Sequence, residues 1–350
     1  MTTTTLATRP VAPQQARSTR EIVLIGSGAV LLVGLAIWII WNLVSSPTQT
    51  LQASVFGLSN GVLYALIALG YTLVYGIIEL INFAHGDLFM LGTLLSAFVM
   101  AGFGFTHANV SGIFGLVLVL MLAMVFCAAI NVAIEFFAYR RLRHAPKLAP
   151  LITAVGMSFI LQNIGLQWNG SQQRQWHPAM PGGHVSLGGV TIGYDVIIDT
   201  IVTAVLLLIM TGIVTKTRAG KAMRATAQDQ DAARLMGINV NRIISFTFAV
   251  GGALAGAAGL LYQQTIGTTS YNLGFQLGLI AFTSAVLGGI GNLTGAVLGG
   301  LIIGLIQGLN DGGPHGFGQQ WSQSVVFVIL IAVMVFKPTG ILGKNVGEKV

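Results

Sequence analysis

Charge-free apolar runs alternate with short polar joints along almost the whole chain. Crossing about 30 Å of hydrocarbon takes roughly 20 helical residues, and the runs are of that length or multiples of it. Residues 22–44 and 51–78 each make one span, and 88–134 makes two, with a polar break at "THANVSG" (Thr106 to Gly112). Residues 148–173 make another span, and one more begins near Val190 and ends at Thr215. Three fit between Ile243 and Asn310, broken at "GTTSYN" and "GGIGNLTG", and the last lies in 312–336. The pattern predicts an all-α polytopic transmembrane helix bundle of about ten spans, with re-entrant or broken helices where glycine and polar residues interrupt the runs.

Composition agrees. Of 350 residues, 54% are hydrophobic and 8% are charged, against about 25% charged in a soluble domain; the mean hydropathy is +0.80. Forty-six glycines suit helices that approach closely in lipid. The single cysteine, Cys127, excludes a disulfide within the chain and reads as filler between helices.

Charge sets the orientation. Lysine and arginine in short loops stay on the cytoplasmic side. With ten spans and both termini cytoplasmic, sixteen of the seventeen basic residues fall on one face: before residue 22, at 140–147, at 216–242, and after 336. Arg174 alone lies opposite, in the loop "NGSQQRQWHPAMPGGHVSLGG" with His177 and His184. The net charge of +7 is therefore a topology signal that includes attraction to lipid headgroups, and it is no nucleic-acid footprint. Residues 1–20 read as a disordered cytoplasmic arm before a retained first helix, 21–336 as the permease domain, and 337–350 as a cytoplasmic tail.

Enzyme motifs are missing. "AGKAM" and "LGKNV" lack the glycine and Ser/Thr of a phosphate loop, H-E-x-x-H is absent, and the six histidines are scattered. No cofactor or metal site is expected. Residues 215–242, "TKTRAGKAMRATAQDQDAARLMGINVNR", form the longest loop between spans on the basic face. Its alanines favour helix, Asp229 can cap a second short helix, and Gly237 can stop it. The other reading is a solvated basic loop near anionic lipid.

"DAARLMG" (Asp231, Ala232, Ala233, Gly237) resembles the start of the EAA-x-x-x-G loop of ABC-transporter permeases. "NGVLYALIALGYTLVYGIIELINFAHGDLFMLG", "IEFFAYRRLR", "AVGMSFILQN", "RAGKAMRATAQDQDAARLMGIN", "AFTSAVLGGIGNLTGAVLGG" and "KPTGILG" are similar, collinearly, to the membrane permease of branched-chain amino-acid ABC importers. The resemblance starts near Ser54. It implies a multi-pass protein of the bacterial inner membrane, paired with a second related permease, two cytoplasmic ABC ATPase subunits and an extracytoplasmic substrate-binding protein. ATP hydrolysis would lie in those partners, with Arg218, Gly220, Arg224, Asp231, Ala232, Ala233 and Gly237 in the coupling loop. Related permeases carry urea or short amides; an independent channel or secondary transporter is the reading from another class.

Two joints are candidate gates. "IIELINFAHGDLFML" holds Glu79, Asn82, His85, Gly86 and Asp87 between charge-free runs. One reading is a tight turn, with Gly86 supplying a conformation other residues resist and Asp87 near a helix N-terminus. The other is a broken-helix gate or structural lock, in which Glu79 pairs with His85 and Asn82 bridges backbone groups. One histidine and two carboxylates make a poor metal set. "GGIGN" (Gly288, Gly289, Gly291, Asn292) reads as a second break, which in the broken-helix reading faces the first. Gly295, Gly299, Gly300 and Gly304 read as close helix contact. Tyr64, Tyr71, Phe89, Met90 and Phe159, at helical spacings, read as packing.

Overall fold

A computed structural model describes residues 19–80, 82–104, 110–143, 145–146, 148–175 and 182–343. Most of the arm and the tail, much of "THANVSG", and Lys147 and His177 lie outside these residues. In chain order the helices are α1 (Thr19–Ser45), α2 (Pro47–Ile78), α3 (Ala84–Gly102) and α4 (Val110–Ile134), which runs on through a π-helix (Glu135–Tyr139) into α5 (Arg140–Leu142). Then follow α6 (Leu148–Asn169), α7 (Tyr194–Lys216), α8 (Arg218–Gln228), α9 (Gln230–Leu235), α10 (Val240–Ile266), α11 (Leu273–Gly288), α12 (Leu293–Gly312) and α13 (Ser322–Phe336). Among the described residues, eight helices are long and apolar enough to cross a membrane, and 33–45 and α11 are shorter apolar helices. These ten occupy the ten predicted runs.

The bundle has a basic end, where residues 140–143, 216–242 and 337 gather, and an opposite end. At the opposite end the chain departs from all-helix. His184–Leu187 (β2) and Val190–Gly193 (β3) pair antiparallel across Gly188 and Gly189, whose φ values of 57° and 85° are those a two-residue hairpin turn requires. α7 therefore starts at Tyr194 rather than near Val190. Arg174–Gln175 (β1) pairs with Thr268–Thr269 (β4), just beyond α10. Gln52 of α2 anchors the hairpin, accepting from the Thr191 N–H at 2.8 Å and donating to the Thr191 carbonyl at 2.9 Å.

α2 is the central helix, with nearly every residue from Gly61 to Val74 buried. It crosses α12 through glycine on both sides. A Cβ on Gly57 would lie 2.6 Å from the Gly304 carbonyl, and one on Gly61 would lie 3.0 Å from the Gly300 carbonyl. A Cβ on Gly304 or Gly308 would run into the α2 backbone. The predicted small-residue stripe is thus a backbone-to-backbone contact, which in lipid supplies dispersion where no hydrophobic drive operates. α4 meets α10 similarly: a Cβ on Gly252 would lie 2.5 Å from the Cys127 carbonyl. Cys127 is buried there, as expected of filler.

Gly304→Val forces α2 and α12 apart and should destabilise the purified protein by about 1–3 kcal/mol, the usual cost of overpacking. Gly156→Ala, on α6 with no atom within 4 Å of its added methyl, should leave the melting temperature unchanged or slightly raised. Thermal unfolding in detergent reads both.

Candidate functional site

The α2–α3 joint is built by one left-handed residue. Glu79 has φ 53°, the one non-glycine residue with positive φ among those described, and its N–H closes α2 on the Tyr75 carbonyl at 2.8 Å. The chain then turns back, and the Asn82 carbonyl accepts from the His85 N–H at 3.0 Å to start α3. Gly86 takes no unusual conformation, contrary to the tight-turn reading. It lies inside α3, where a Cβ would sit 2.7 Å from Gly278 Cα, so its bareness lets α11 approach.

Asn82 is 2% exposed and ties four elements together. Its Oδ1 accepts from the Tyr139 hydroxyl at 2.9 Å, and its Nδ2 donates to Asn131 Oδ1 of α4 at 3.4 Å. Asn131 Nδ2 donates in turn to the Phe248 carbonyl of α10 at 2.7 Å. The π-helix makes this possible. Its extra residue per turn turns both Glu135 and Tyr139 inward, at 0% and 2% exposure. Glu135 accepts from Arg140 Nη2 and from the Ser245 hydroxyl, each at 2.8 Å, and from Arg143. A buried carboxylate is tolerable only when so surrounded.

The neighbours in "INFAHGD" divide. Asp87, fully buried, accepts from the Ser158 hydroxyl of α6 at 2.5 Å, and Gln162 supports Ser158 at 3.0 Å. His85 does not pair with Glu79. Its ring packs edge-on to Tyr71, centroids 4.8 Å apart, beside the backbone of Ile67, and no hydrogen bond of ordinary geometry reaches either ring nitrogen. Glu79 is exposed on the other side.

"GGIGN" is a break of the expected kind: Gly289 and Gly291 have φ 103° and 90°. Gly288 packs on Gly295, at the start of α12. Asn292 caps α12, accepting from the Gly295 N–H at 3.1 Å, and it also donates to the Leu342 carbonyl at 2.7 Å. The residues after α13 pass beside it, the Ile341 and Leu342 N–H groups donating to the Leu287 and Gly288 carbonyls at 2.8 and 3.0 Å. A cavity of about 810 Å³ at the basic end brings Glu79, Gly291, Asn292 and Arg224 to common walls, between α2, α7 and α8. Asn82 turns away from this cavity, toward Asn131 and Tyr139, so the two breaks meet through Glu79.

Residues 215–242 are folded. Thr217 caps α8, accepting from the Gly220 N–H at 3.0 Å. Gly220 presses on the last turn of α7, where a Cβ would run into the Val214 and Ile213 carbonyls, and Arg224 donates to the Val214 carbonyl. Asp229 caps α9, accepting from the Asp231 and Ala232 N–H groups at 2.8 and 3.0 Å. Gly237, at φ 81°, ends it. Asp231 pairs with Arg234 at 3.2 Å, Ala233 is buried and Ala232 is exposed, as is Arg218. Leu235 and Met236 stand 89% and 83% exposed, while Gln230 reaches the Ile77 carbonyl in the last turn of α2 at 3.4 Å.

The family model described as branched-chain amino acid transport system, permease component, matches residues 54–334. The chain belongs to this family. It is 41% identical over 308 residues to the high-affinity branched-chain amino acid transport system permease protein BraD of Pseudomonas aeruginosa, covering 86% of this chain and 98% of that protein. It is 38% identical over 310 residues to LivH, the corresponding permease protein of Escherichia coli K12, covering 86% and 97%. The autoinducer 2 import system permease protein LsrC of Salmonella choleraesuis is 26% identical over 202 residues, covering 54% and 55%. No solved structure matches the chain. The protein is thus a multi-pass membrane permease component and no enzyme of its own.

Two further features leave little mark in the sequence. Only Glu135, with arginines five and eight positions on, hinted at the π-helix. α1 precedes the matched residues, yet it is fixed to the α12–α13 turn. Trp38 Nε1 donates to the His315 carbonyl at 2.9 Å, Asn42 Oδ1 accepts from the His315 N–H at 3.0 Å, and Trp41 stacks on the imidazole at 4.5 Å.

Tyr139→Phe strips Asn82 Oδ1 of its stronger partner and should cost about 1–3 kcal/mol. In a double-mutant cycle with Asn82→Leu, read by thermal unfolding, the two losses should not add. Asn82→Leu should assemble yet lose uptake; normal uptake would make the network mere packing.

Proposed function

We infer that this chain is the permease subunit of an ABC importer of the bacterial inner membrane that carries branched-chain, or more broadly hydrophobic and neutral, amino acids. The basic end is cytoplasmic by the positive-inside rule. A second related permease completes the pathway, two cytoplasmic ATPase subunits supply the energy, and an extracytoplasmic binding protein delivers substrate. The substrate class rests on the names of BraD and LivH.

The observation that carries the ATP-driven part is the shape of residues 215–242. An apolar tip at Leu235 and Met236 stands exposed on a capped helix, beside three charged residues. A solvated lipid-facing loop needs neither the caps nor the bonds to α7 and α2. A partner seated on that tip can push α8, which Gly220 and Arg224 fasten to α7, and can reach the α2–α3 joint through Gln230 and Ile77. α7 and α2 both line the 810 Å³ cavity, so their relative movement opens or closes it. In this scheme Glu79, Gly291 and Asn292 form the gate rim. Asn82, His85, Gly86 and Asp87 brace the joint behind it, and Gly288 and Gly289 supply the second hinge.

The test is uptake of labelled L-leucine into proteoliposomes holding this chain with its ATPases, its partner permease and the binding protein. Uptake that requires ATP is expected. Uptake of urea in place of leucine would keep the architecture and change the substrate, whereas uptake without ATP would make the protein a channel or secondary transporter. Leu235→Asp, which places a charge on the apolar tip without altering its caps, should release the ATPase in co-purification and abolish uptake.

A further inference from the structure

Among the described residues three acidic side chains are buried in the bundle to 1% exposure or less: Asp87, Glu135 and Asp199. Glu135 has two arginines. Asp87 accepts from the Ser158 hydroxyl, with Gln162 behind it, and its Oδ1 is also without a partner, but no second unpartnered hydroxyl stands one turn away on its own helix. Asp199, on α7, has one neutral partner, the Thr265 hydroxyl of α10. Its Oδ1 has no hydrogen-bond partner, and neither has the hydroxyl of Thr203, one turn further along the same face and 2% exposed. Asp195, one turn before, adds a second negative charge to this strip. An intramembrane carboxylate so placed is costly, and such groups mark a pathway or a partner.

The two unpartnered groups are spaced for one ligand atom. Residues four apart on a helix hold their Cβ atoms about 5–6 Å apart, the span that one ammonium bridges with two charge-assisted bonds of about 2.8 Å. Asp199 lies five residues inside α7, about 8 Å from its start at 1.5 Å per residue. The same buried stripe continues through Leu206, Met210 and Val214, and Val214 borders the large cavity at the basic end. α2 and α10 pack against this side of α7. At the mouth, four residues beyond Thr265, Thr269 pairs with Arg174, the one lysine or arginine of the sequence at that end.

We propose that Asp199 and Thr203, where the buried stripe of α7 meets Thr265 of α10, form a primary-ammonium site at the entrance to a pathway leading down the α7–α2 seam to the basic-end cavity. The ligand class is a zwitterion with a small apolar body. Its ammonium bridges Asp199 and Thr203, its carboxylate faces the mouth that carries Arg174, and its side chain meets Leu206 and Met210. This deepens the amino-acid reading above and rests on it for the pathway's direction.

Two measurements on the assembled complex in proteoliposomes test the site. With Cys127→Ala, Thr203→Cys should react with a small ammonium-bearing methanethiosulfonate. L-leucine and methylammonium should each slow that reaction, and 4-methylpentanoate, which lacks the ammonium, should not. Asp199→Asn should assemble and lower leucine uptake about ten- to hundredfold, the loss of one charge-assisted contact, with Asp199→Glu restoring part of it. No labelling at 203 in any state, labelling indifferent to both ammonium compounds, or wild-type uptake by Asp199→Asn would overturn the proposal. A wild-type complex that moves no leucine with ATP would count against the transport reading instead, and the labelling would still decide the ammonium site.

Discussion

Inside hydrocarbon no water is at hand to satisfy a peptide group, so every break in a helix must be closed by the protein itself. The α2–α3 joint is where this constraint bears hardest, because the chain leaves α2 through a left-handed glutamate and resumes only at Ala84. Asn82 fills that gap, and its two side-chain bonds decide much else. Tyr139 meets it from the end of the π-helix, whose first residue, Glu135, also faces inward. Glu135 in turn needs Arg140, Arg143 and Ser245, which draws the basic end of α10 against α4. Asn131 completes the arrangement, accepting from Asn82 through Oδ1 and donating through Nδ2 to the Phe248 carbonyl. Removing the joint would leave the π-helix without a purpose, and removing the π-helix would leave Asn82 half satisfied.

Polar bonds hold the ends of the bundle, and glycine holds its middle. Between α2 and α12 the approach is backbone to backbone along Gly57, Gly61, Gly300, Gly304 and Gly308. That contact is stiff, since a packed interface has no slack to slide. α7 differs: its buried stripe is narrow and most of its surface is exposed. The part of the cavity wall contributed by α2 is therefore anchored to the core, and the part contributed by α7 is held along a single stripe.

The helix positions were legible because ten apolar runs fell into ten helices, and hydropathy reports the cost of exposed backbone in lipid directly. The caps at Asp229 and Gly237 were legible for a similar reason, since each follows from one residue's local chemistry. Asn82 stood out as polar among apolar residues, yet its partners did not. Asn131 and Tyr139 are separated from it by 49 and 57 positions, and a π-helix leaves no periodic mark of its own. The expected Glu79–His85 pair failed because the left-handed turn sends Glu79 outward to the cavity while His85 enters α3. Gly86 was misread because a glycine's two uses, unusual φ and close approach, look the same in sequence. The hairpin at 184–193 carries a turn signal in Gly188-Gly189, but its strands are four residues each and leave little mark in a long loop.

One chain of contacts joins the loop at 215–242 to both breaks, and it divides the molecule mechanically. α8 cannot move without α7, since Gly220 abuts the Val214 and Ile213 carbonyls and Arg224 grips one of them. α9 touches the end of α2 through a single long bond from Gln230. On the transport reading, a displacement applied at Leu235 and Met236 reaches α7 through these contacts and reaches α2 through Gln230 and the packing of α8 on α2. α2 has the core behind it and α7 does not, so relative movement of the two would change the volume of the cavity they both line. On the transport reading, that asymmetry explains why α2 is fastened to α12 by glycine along much of its length while α7 keeps a narrow buried stripe. The stationary wall has the core behind it, and the moving wall meets that core along one narrow stripe.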